Sequence, residues 1–257
     1  MNLLNPKGNS NFHTHTLYCD GTNTVEELVE QAIGLGFAAI GFSGHEYSIH
    51  DEDFCMSKEE TASYQREVLQ ARETYREQIE VFLGIERDYF GEIDAFPYDY
   101  VIGSLHYVEK DGVLMTVDYT EDIMVENVNQ YFQGDYRAYV ERYYEIIGDI
   151  VEKTGADIVG HFDLITKFNE GNFYFDEEAE WYKEASLKAL RKVAASKPIF
   201  EINTGAMARG YRNRPYPAEF LLKEIERLEC RVVLSSDCHQ KENLNFYFCN
   251  FIENLKL

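Results

Sequence analysis

Short apolar segments recur along the chain, and most of them lead through a polar cluster into an amphipathic helical pattern. Strand-like and helical segments in alternation are typical of parallel βαβ units. Helices are predicted at residues 24–35, 58–77, 136–153, 177–195, 217–228 and 241–255. Seven segments have the length and the branched or aromatic side chains of buried strands: 9–15, 38–45, 80–87, 100–106, 157–163, 198–203 and 232–237.

Short motifs in the sequence predict where some helices begin and which segments are irregular. Thr24 precedes Glu27 at the spacing of a capping box, and Asp176 is expected to cap the helix that follows it. Residues 89–99 are predicted to form an irregular link between the third and fourth strands. Residues 110–135 carry weaker signals and are predicted to be an insertion.

The chain length fits one large domain. The sequence has 257 residues, of which 45% are hydrophobic and 14% aromatic, enough to bury a substantial core. Barrels of alternating strands and helices commonly contain ~200–250 residues. The sequence therefore predicts an α/β fold: a distorted (β/α)7 TIM-like barrel, with residues 1–257 forming a single domain.

Charge and hydropathy narrow the possible partners. The formal net charge of −22, from 24 basic and 46 acidic residues, repels long nucleic acids and anionic membranes. No apolar run approaches the ~20 residues of a membrane span, and the N-terminus lacks a secretion signal. The five cysteines show no C-x-x-C spacing, so neither a disulfide framework nor a sulfur zinc site is indicated. We expect a cytoplasmic protein of undetermined oligomeric state, with no membrane partner.

The segment NFHTHTLYCDGT contains the first candidate chemistry. His13 and His15 are one residue apart, and side chains at that spacing in a strand lie on the same face. Carboxyl ends of parallel strands converge at one mouth of a barrel, where active sites lie. Metal-capable residues occur at or just after the ends of six predicted strands: His13, His15, Asp20, His45, Glu86, His106, His161, Asp237 and His239. Together they predict a metal site at that mouth.

Six ordered motifs resemble those of the PHP family, named for polymerase and histidinol phosphatase. They are FHTHTLYCDGT, GFSGH, GIERDYF, IGSLH, VGHFDLI and SSDCH, and they extend over nearly the whole chain. The resemblance implies a distorted (β/α)7 barrel with a trinuclear metal centre, which agrees with the strand count. It is closest to the histidinol-phosphatase branch, in which an aspartate occupies the position of Asp20.

The resemblance also implies how the ligands divide among three ions. The first ion would be held by His13, His15, Glu86 and Asp237. Glu86 would bridge to a second ion held by His106 and His161, and Asp20, His45 and His239 would hold the third. Mixed nitrogen and oxygen ligands suit divalent Zn, Mn or Fe better than Mg or Ca. The identity of the metal stays open.

Such a centre would hydrolyse phosphate esters. Three divalent ions would outweigh the three ligand carboxylates and create local positive charge in an acidic protein. Adjacent ions lower the pKa of bound water, so a hydroxide that bridges two of them is expected to attack phosphorus. Glu86, Asp237 and His239 are the predicted catalytic residues, as part of the metal shell. No residue is assigned as the acid that protonates the leaving group.

The loop after the sixth strand is the predicted phosphate site. Arg209 and Arg212 lie in EINTGAMARGYRNRP, and guanidinium groups match phosphate oxygens in pairs. The resemblance nominates Lys167 and Arg209 as phosphate ligands. We therefore predict that Arg209, Lys167, Arg212 and Asn203 bind the substrate, with surface ion pairing as the alternative for Arg212.

The leading functional hypothesis is a phosphatase that converts L-histidinol phosphate to L-histidinol and phosphate in histidine biosynthesis. One alternative keeps the metal centre but changes the substrate to another small phosphate ester or a nucleotide phosphodiester. A second alternative is a non-catalytic PHP domain. The complete ligand set favours an enzyme that acts on a small-molecule phosphate monoester.

Overall fold

The computed structural model describes residues 1–51 and 53–254. Its strands are β1 (Asn2–Leu3), β2 (Ser10–Asn11), β3 (Ala39–Phe42), β4 (Glu80–Asp88), β5 (Tyr100–Ser104), β6 (Tyr107–Lys110), β7 (Val113–Thr116), β8 (Ile158–Val159), β9 (Ile199–Asn203) and β10 (Arg231–Ser235). Its α-helices are α1 (Val25–Gly34), α2 (Lys58–Tyr75), α3 (Glu121–Phe132), α4 (Tyr136–Ile147), α5 (Ile150–Thr154), α6 (Glu180–Ala194), α7 (Gly205–Ala208), α8 (Glu219–Arg227) and α9 (Phe248–Asn254). Single 3₁₀ turns occur at Leu164–Thr166, Glu170–Asn172 and Lys241–Asn243.

The main sheet has eight parallel strands in the order β1-β10-β9-β8-β5-β4-β3-β2. The segments after β2 and β10 meet where Thr14 bridges Cys238, through hydrogen bonds from His15 N to Cys238 O (2.8 Å) and from Cys238 N to His13 O (3.0 Å). Seven strands therefore follow one another around the curled sheet, and β1 is an addition beside β10. The predicted distorted barrel is confirmed.

Tyr100 fills the barrel interior below the mouth. Its hydroxyl donates to Phe12 O at 2.6 Å and lies 3.0 Å from Phe42 O, so the ring spans neighbouring strands. A Cβ atom at Gly41 or Gly84 would lie within 2.4 Å of the Tyr100 side chain. These glycines are therefore required for the close approach of the tyrosine.

The helices cover the outside of the sheet largely where they were predicted. Thr24 caps α1 in a complete capping box with Glu27, as expected. The prediction for Asp176 is wrong: α6 is preceded by Ala179 at the N-cap, and Asp176 accepts from the backbone of Glu178 instead.

Two predicted helices are interrupted. The segment predicted as 136–153 divides into α4 and α5, because α4 ends at the Gly148 cap. The segment predicted as 241–255 begins with a 3₁₀ turn, and α9 starts only at Phe248. Residue 255 lies outside the described residues.

The predicted insertion has its own secondary structure. Strands β6 and β7 form an antiparallel hairpin around Asp111 and Gly112, both with positive φ, as an Asp-Gly two-residue turn requires. Helix α3 follows the hairpin, whereas residues 89–99 form neither helix nor strand. Within the described part of the chain, no helix is long and apolar enough to cross a membrane. The hairpin places Tyr107 and Thr116 at the mouth of the barrel.

Candidate metal centre

The strand ends bring the predicted metal ligands together at one mouth. His13 and His15 follow β2, His45 follows β3, and His106 follows β5. Glu86 lies near the end of β4, and the others follow β8 and β10 or lie in the loop after β2. The chain folds this way because parallel strands end on the same side of the sheet.

Glu86 occupies the middle of this cluster and is 1% exposed. Its Oε2 lies 3.1 Å from both His13 Nε2 and His45 Nδ1. Its Oε1 lies 3.1 Å from His161 Nε2 and 3.6 Å from His106 Nε2. One carboxylate thus contacts imidazoles from four separate strands.

A second group of ligands surrounds Asp20. Its Oδ1 lies 3.3 Å from His15 Nδ1 and 3.7 Å from His45 Nε2, and its Oδ2 lies 3.0 Å from His239 Nε2. Asp237 lies between this group and Glu86, with Oδ1 3.3 Å from His15 Nε2. The cluster is therefore continuous from Glu86 to Asp20.

The ligand atoms form overlapping groups, each with all members within 4.8 Å of one another. His15 joins the group around Asp20, and His45 belongs both to that group and to one with Glu86 and His106. The geometry brings the nine residues together but does not separate them into the three sets that the resemblance implies. That division stays a prediction.

Several atoms of the cluster lie close to one another but form no hydrogen bond of acceptable geometry among the described residues. They are His13 Nε2, His15 Nε2, Asp20 Oδ1 and Glu86 Oε2, and all four are buried. Leaving buried polar atoms unpaired is costly, and native proteins seldom do so without a ligand or bound ion. Imidazole nitrogens and carboxylate oxygens directed at a common centre are suitable donors for divalent transition metals. The residues present therefore fit such ions.

The electrostatics of the cluster agree with this conclusion. Burial alone would raise the pKa of Glu86, but the imidazoles of His13 and His45 outweigh burial and hold the pKa well below its usual range. Burial would likewise raise the pKa of Asp237, but the charges of Arg209 and His13 outweigh burial and hold that pKa well below its usual range. Both carboxylates are thus ionised at neutral pH and available to bind cations.

A cavity of about 220 Å³ opens above the cluster. Glu86, His106 and Asp237 contribute to its floor, and Lys167 and Arg209 lie in its wall. Arg209 Nη2 donates to Asp237 Oδ2 at 3.0 Å, while Lys167 Nζ donates to Asp118 O at 2.6 Å. The cavity therefore joins candidate metal ligands to two cationic side chains.

The PHP domain matches residues 11–205 of the sequence, about three quarters of the chain. This chain belongs to the PHP domain family. Family membership agrees with the six motifs and with the convergence of their histidines and carboxylates at the mouth of the barrel.

Relatives of this PHP domain protein match over nearly full length. The histidinol-phosphatase of Bacillus subtilis is 27% identical, over 94% of this chain and 97% of the relative. The probable histidinol-phosphatase of Deinococcus radiodurans is 26% identical, over 95% and 91% of the two chains.

Two solved structures share the fold. One from Listeria monocytogenes has a TM-score of 0.79 at 20% identity and covers 94% of this chain and 99% of its own. The histidinol phosphate phosphatase of Lactococcus lactis, solved with Zn, L-histidinol and phosphate, has a TM-score of 0.68 at 20% identity. The alignment with it covers 96% of this chain and 93% of that one.

Two predicted substrate residues do not line the cavity of this PHP domain. The Arg212 side chain is 2% exposed, and its Nη2 donates to Glu177 at 2.9 Å. Asn203 is fully buried, donates to Glu201 at 2.9 Å and accepts from Gly205 N at 2.8 Å. Both side chains thus form internal hydrogen bonds and do not belong to the cavity lining, and their contact with substrate stays a prediction.

Acidic residues outside the predicted ligand set also lie near the centre. Asp88 Oδ2 lies 3.2 Å from His106 Nδ1 and accepts from the backbone of His106 at 2.9 Å. Asp51 and Asp118 line the cavity from two loops. Asp88 is two residues after Glu86 in β4 and therefore shares its face. The two loop residues carried no such periodic signal.

Proposed function

We propose that this protein hydrolyses L-histidinol phosphate to L-histidinol and phosphate. The observation that carries the proposal is the single cavity that connects the histidine–carboxylate cluster with Lys167 and Arg209. The name of the Bacillus subtilis relative, which aligns over 97% of its length, supports this substrate. Residues 1–257 would act as one catalytic domain, since β1 and β10 from opposite ends of the chain pair in the same sheet. We also propose a role in histidine biosynthesis and a cytoplasmic location.

The proposed cofactor is a set of three divalent transition-metal ions, Zn, Mn or Fe. The nine clustered ligand residues support it, because their nitrogen and oxygen atoms suit these ions. Bound at this position, the ions would supply activated water and neutralise phosphate oxygens. Glu86, Asp237 and His239 would hold them at the cavity floor.

Lys167 and Arg209 would bind the phosphate group. Arg209 is held by Asp237, so its guanidinium stays beside the cluster, and the side chain remains 31% exposed. Lys167 is 11% exposed on its side chain and is fixed by Asp118, so little side-chain entropy is lost when it binds an anion. The two cations would orient the phosphorus toward the floor of the cavity and stabilise charge on the transferring group.

Two carboxylates also line the cavity. Asp51 and Asp118 lie in its wall together with Tyr107. A substrate that carries a protonated amine as well as a phosphate would match a cavity that has both cations and carboxylates. Nucleotides lack that amine, so they match these carboxylates less well.

Phosphate release from three substrates tests the proposal. Metal-loaded protein should release phosphate from L-histidinol phosphate much faster than from a nucleoside monophosphate or a dinucleotide. Glu86→Ala should lower this activity by about 10²–10³-fold, and Glu80→Ala, an exposed change in the same strand, should preserve it. Faster turnover of a nucleotide would overturn the substrate assignment, and loss of activity in Glu80→Ala would show that the Glu86 comparison is not specific.

A further inference from the structure

Glu201 is the most completely hydrogen-bonded carboxylate beside the metal cluster, although it belongs to no predicted ligand set. It is 1% exposed and lies in β9, opposite Val233 of β10. Its neighbours Phe200 and Ile202 point into the outer apolar core, so alternation directs Glu201 to the barrel interior. A charged residue in this position requires a specific set of partners.

Four groups surround the two oxygens of this carboxylate. His13 Nδ1 lies 2.6 Å from Oε1, and Ser235 Oγ donates to the same oxygen at 2.5 Å. The backbone N of His161 donates to Oε2 at 2.8 Å, and Asn203 Nδ2 donates to it at 2.9 Å. Both oxygens are therefore fully used as acceptors.

The contact with His13 determines which ring nitrogen can bind a cation. An ionised carboxylate accepts hydrogen bonds only, so His13 Nδ1 must carry a proton. The lone pair of the neutral ring is then on Nε2, which lies 3.1 Å from Glu86 Oε2 and lacks a hydrogen-bond partner within the described residues. Glu201 thus directs the free nitrogen of His13 to the centre of the cluster.

The same carboxylate also fixes a second imidazole. By accepting from the backbone of His161, Glu201 holds the chain just after β8, where the side chain reaches Glu86 at 3.1 Å. Gly160 assists this approach, because a Cβ atom there would lie 2.6 Å from Ser104 Oγ. Two candidate ligands from distant strands are therefore aligned by one buried group.

We propose that Glu201 is a positioning residue that sets the tautomer of His13 and the placement of His161 for metal binding. The inference rests on the proposed metal-dependent function, and it adds a group that contacts neither the substrate nor the ions. Carboxylates that accept from metal-binding histidines typically change metal affinity by ~10–100-fold when they are replaced.

Glu201→Gln is the decisive substitution because it preserves the shape of the side chain. An amide has one acceptor oxygen and one NH₂ group, whereas all four neighbours of Glu201 act as donors. If the NH₂ group faces His13, the ring must accept at Nδ1 and carry its proton on Nε2. If it faces His161, the backbone N–H loses its acceptor.

The experiment measures Zn²⁺ affinity of the full-length, metal-stripped protein by competition with a chromophoric chelator. Glu201→Gln should bind Zn²⁺ about 10–100-fold more weakly than the wild type. Glu224→Gln is the matched control, because Glu224 is also buried and bonded, to Arg191 and Arg227, but lies on α8. Its Zn²⁺ affinity should equal that of the wild type. Equal affinity in Glu201→Gln would overturn the inference.

Nitrogen-15 NMR of the wild type loaded with Cd²⁺ gives a second readout that needs no variant. His13 should show a protonated Nδ1 and cadmium coupling to Nε2, and coupling to Nδ1 would overturn the inference even if Glu201→Gln failed to fold. A wild type that binds Zn²⁺ without hydrolysing L-histidinol phosphate would refute the proposed function and leave the role of Glu201 intact. A wild type that binds no divalent metal would refute both.

Discussion

In two buried polar clusters of this protein, the buried charged groups are compensated in different ways. Behind the loop that follows β9, Arg212 pairs with Glu177 at 2.9 Å and donates to Thr166 O at 2.8 Å. Arg214 contacts the same carboxylate from a more exposed position. Each oxygen of the buried Glu177 carboxylate therefore contacts a permanently charged guanidinium.

The cluster at the mouth of the barrel has carboxylates and imidazoles but leaves acceptor and donor atoms unpaired at its centre. Imidazoles can lose their protons, whereas a guanidinium stays charged. A buried cluster whose charges are balanced by permanent counterions is a structural device, whereas convergent unpaired imidazole nitrogens and carboxylate oxygens are complete only with a ligand. Experiments that remove one member of each cluster distinguish the two cases.

The largest effect on stability is expected from Glu177→Ala. The substitution leaves Arg212 buried without its counterion, which costs about 3–5 kcal/mol of unfolding free energy. Denaturant unfolding measures this loss, and metal content should stay at the wild-type level. As a control, Glu219→Ala removes an exposed pair with Lys223 and an acidic residue from the first turn of α8, so it should cost less than about 1 kcal/mol. Loss of metal in Glu177→Ala would mean that the two clusters are coupled.

Glu86→Ala should lower metal content and activity but preserve the fold, the opposite of what is expected for Glu177→Ala. It removes the carboxylate shared by four imidazoles, so metal content should fall and kcat/KM should drop by about 10²–10³-fold, or roughly 3–4 kcal/mol. The fold should persist, because the remaining imidazoles can become neutral. Elemental analysis and circular dichroism check both points. Retention of full metal content and turnover would contradict the central position assigned to Glu86.

Metal saturation should stabilise the wild type. Zn²⁺ at a free concentration 100 times its dissociation constant should add about 2.7 kcal/mol to the unfolding free energy. Thermal unfolding with Zn²⁺ and with a chelator measures the difference. Glu177→Ala should gain the same increment and Glu86→Ala a smaller one. An equal gain in both variants would place the metal elsewhere.

The smallest effect is expected from Arg209→Lys. The substitution keeps the charge at the cavity wall but loses the paired donors of the guanidinium, so kcat/KM should fall by about 10-fold. Arg214→Lys is the matched control, since Arg214 contacts Glu177 outside the cavity. Steady-state kinetics with L-histidinol phosphate provide the comparison. A larger loss for Arg214→Lys would reverse the assignment of the phosphate site.

The loop after β9 contains two arginines that the sequence alone does not distinguish. Arg209 and Arg212 were both expected to bind phosphate, but Arg209 lies in the cavity wall and Arg212 is buried against Glu177. The loop has no periodicity that fixes side-chain direction, and the counterion of Arg212 lies 35 residues away in sequence. Only the packing of the loop after β9 against the segment that contains Glu177 distinguishes the buried Arg212 from Arg209 in the cavity wall.

The pattern of apolar segments determined the seven barrel strands, because buried parallel strands need continuous apolar stretches and mark their ends with polar residues. The same pattern located the nine candidate ligands, because the carboxyl ends of parallel strands all lie at the same mouth of a barrel. Tertiary structure alone decided which nitrogen faces which carboxylate and how Glu201 aligns His13 with His161. Those relations depend on the register of strands that are distant in sequence, and local patterns carry no information about distances between them.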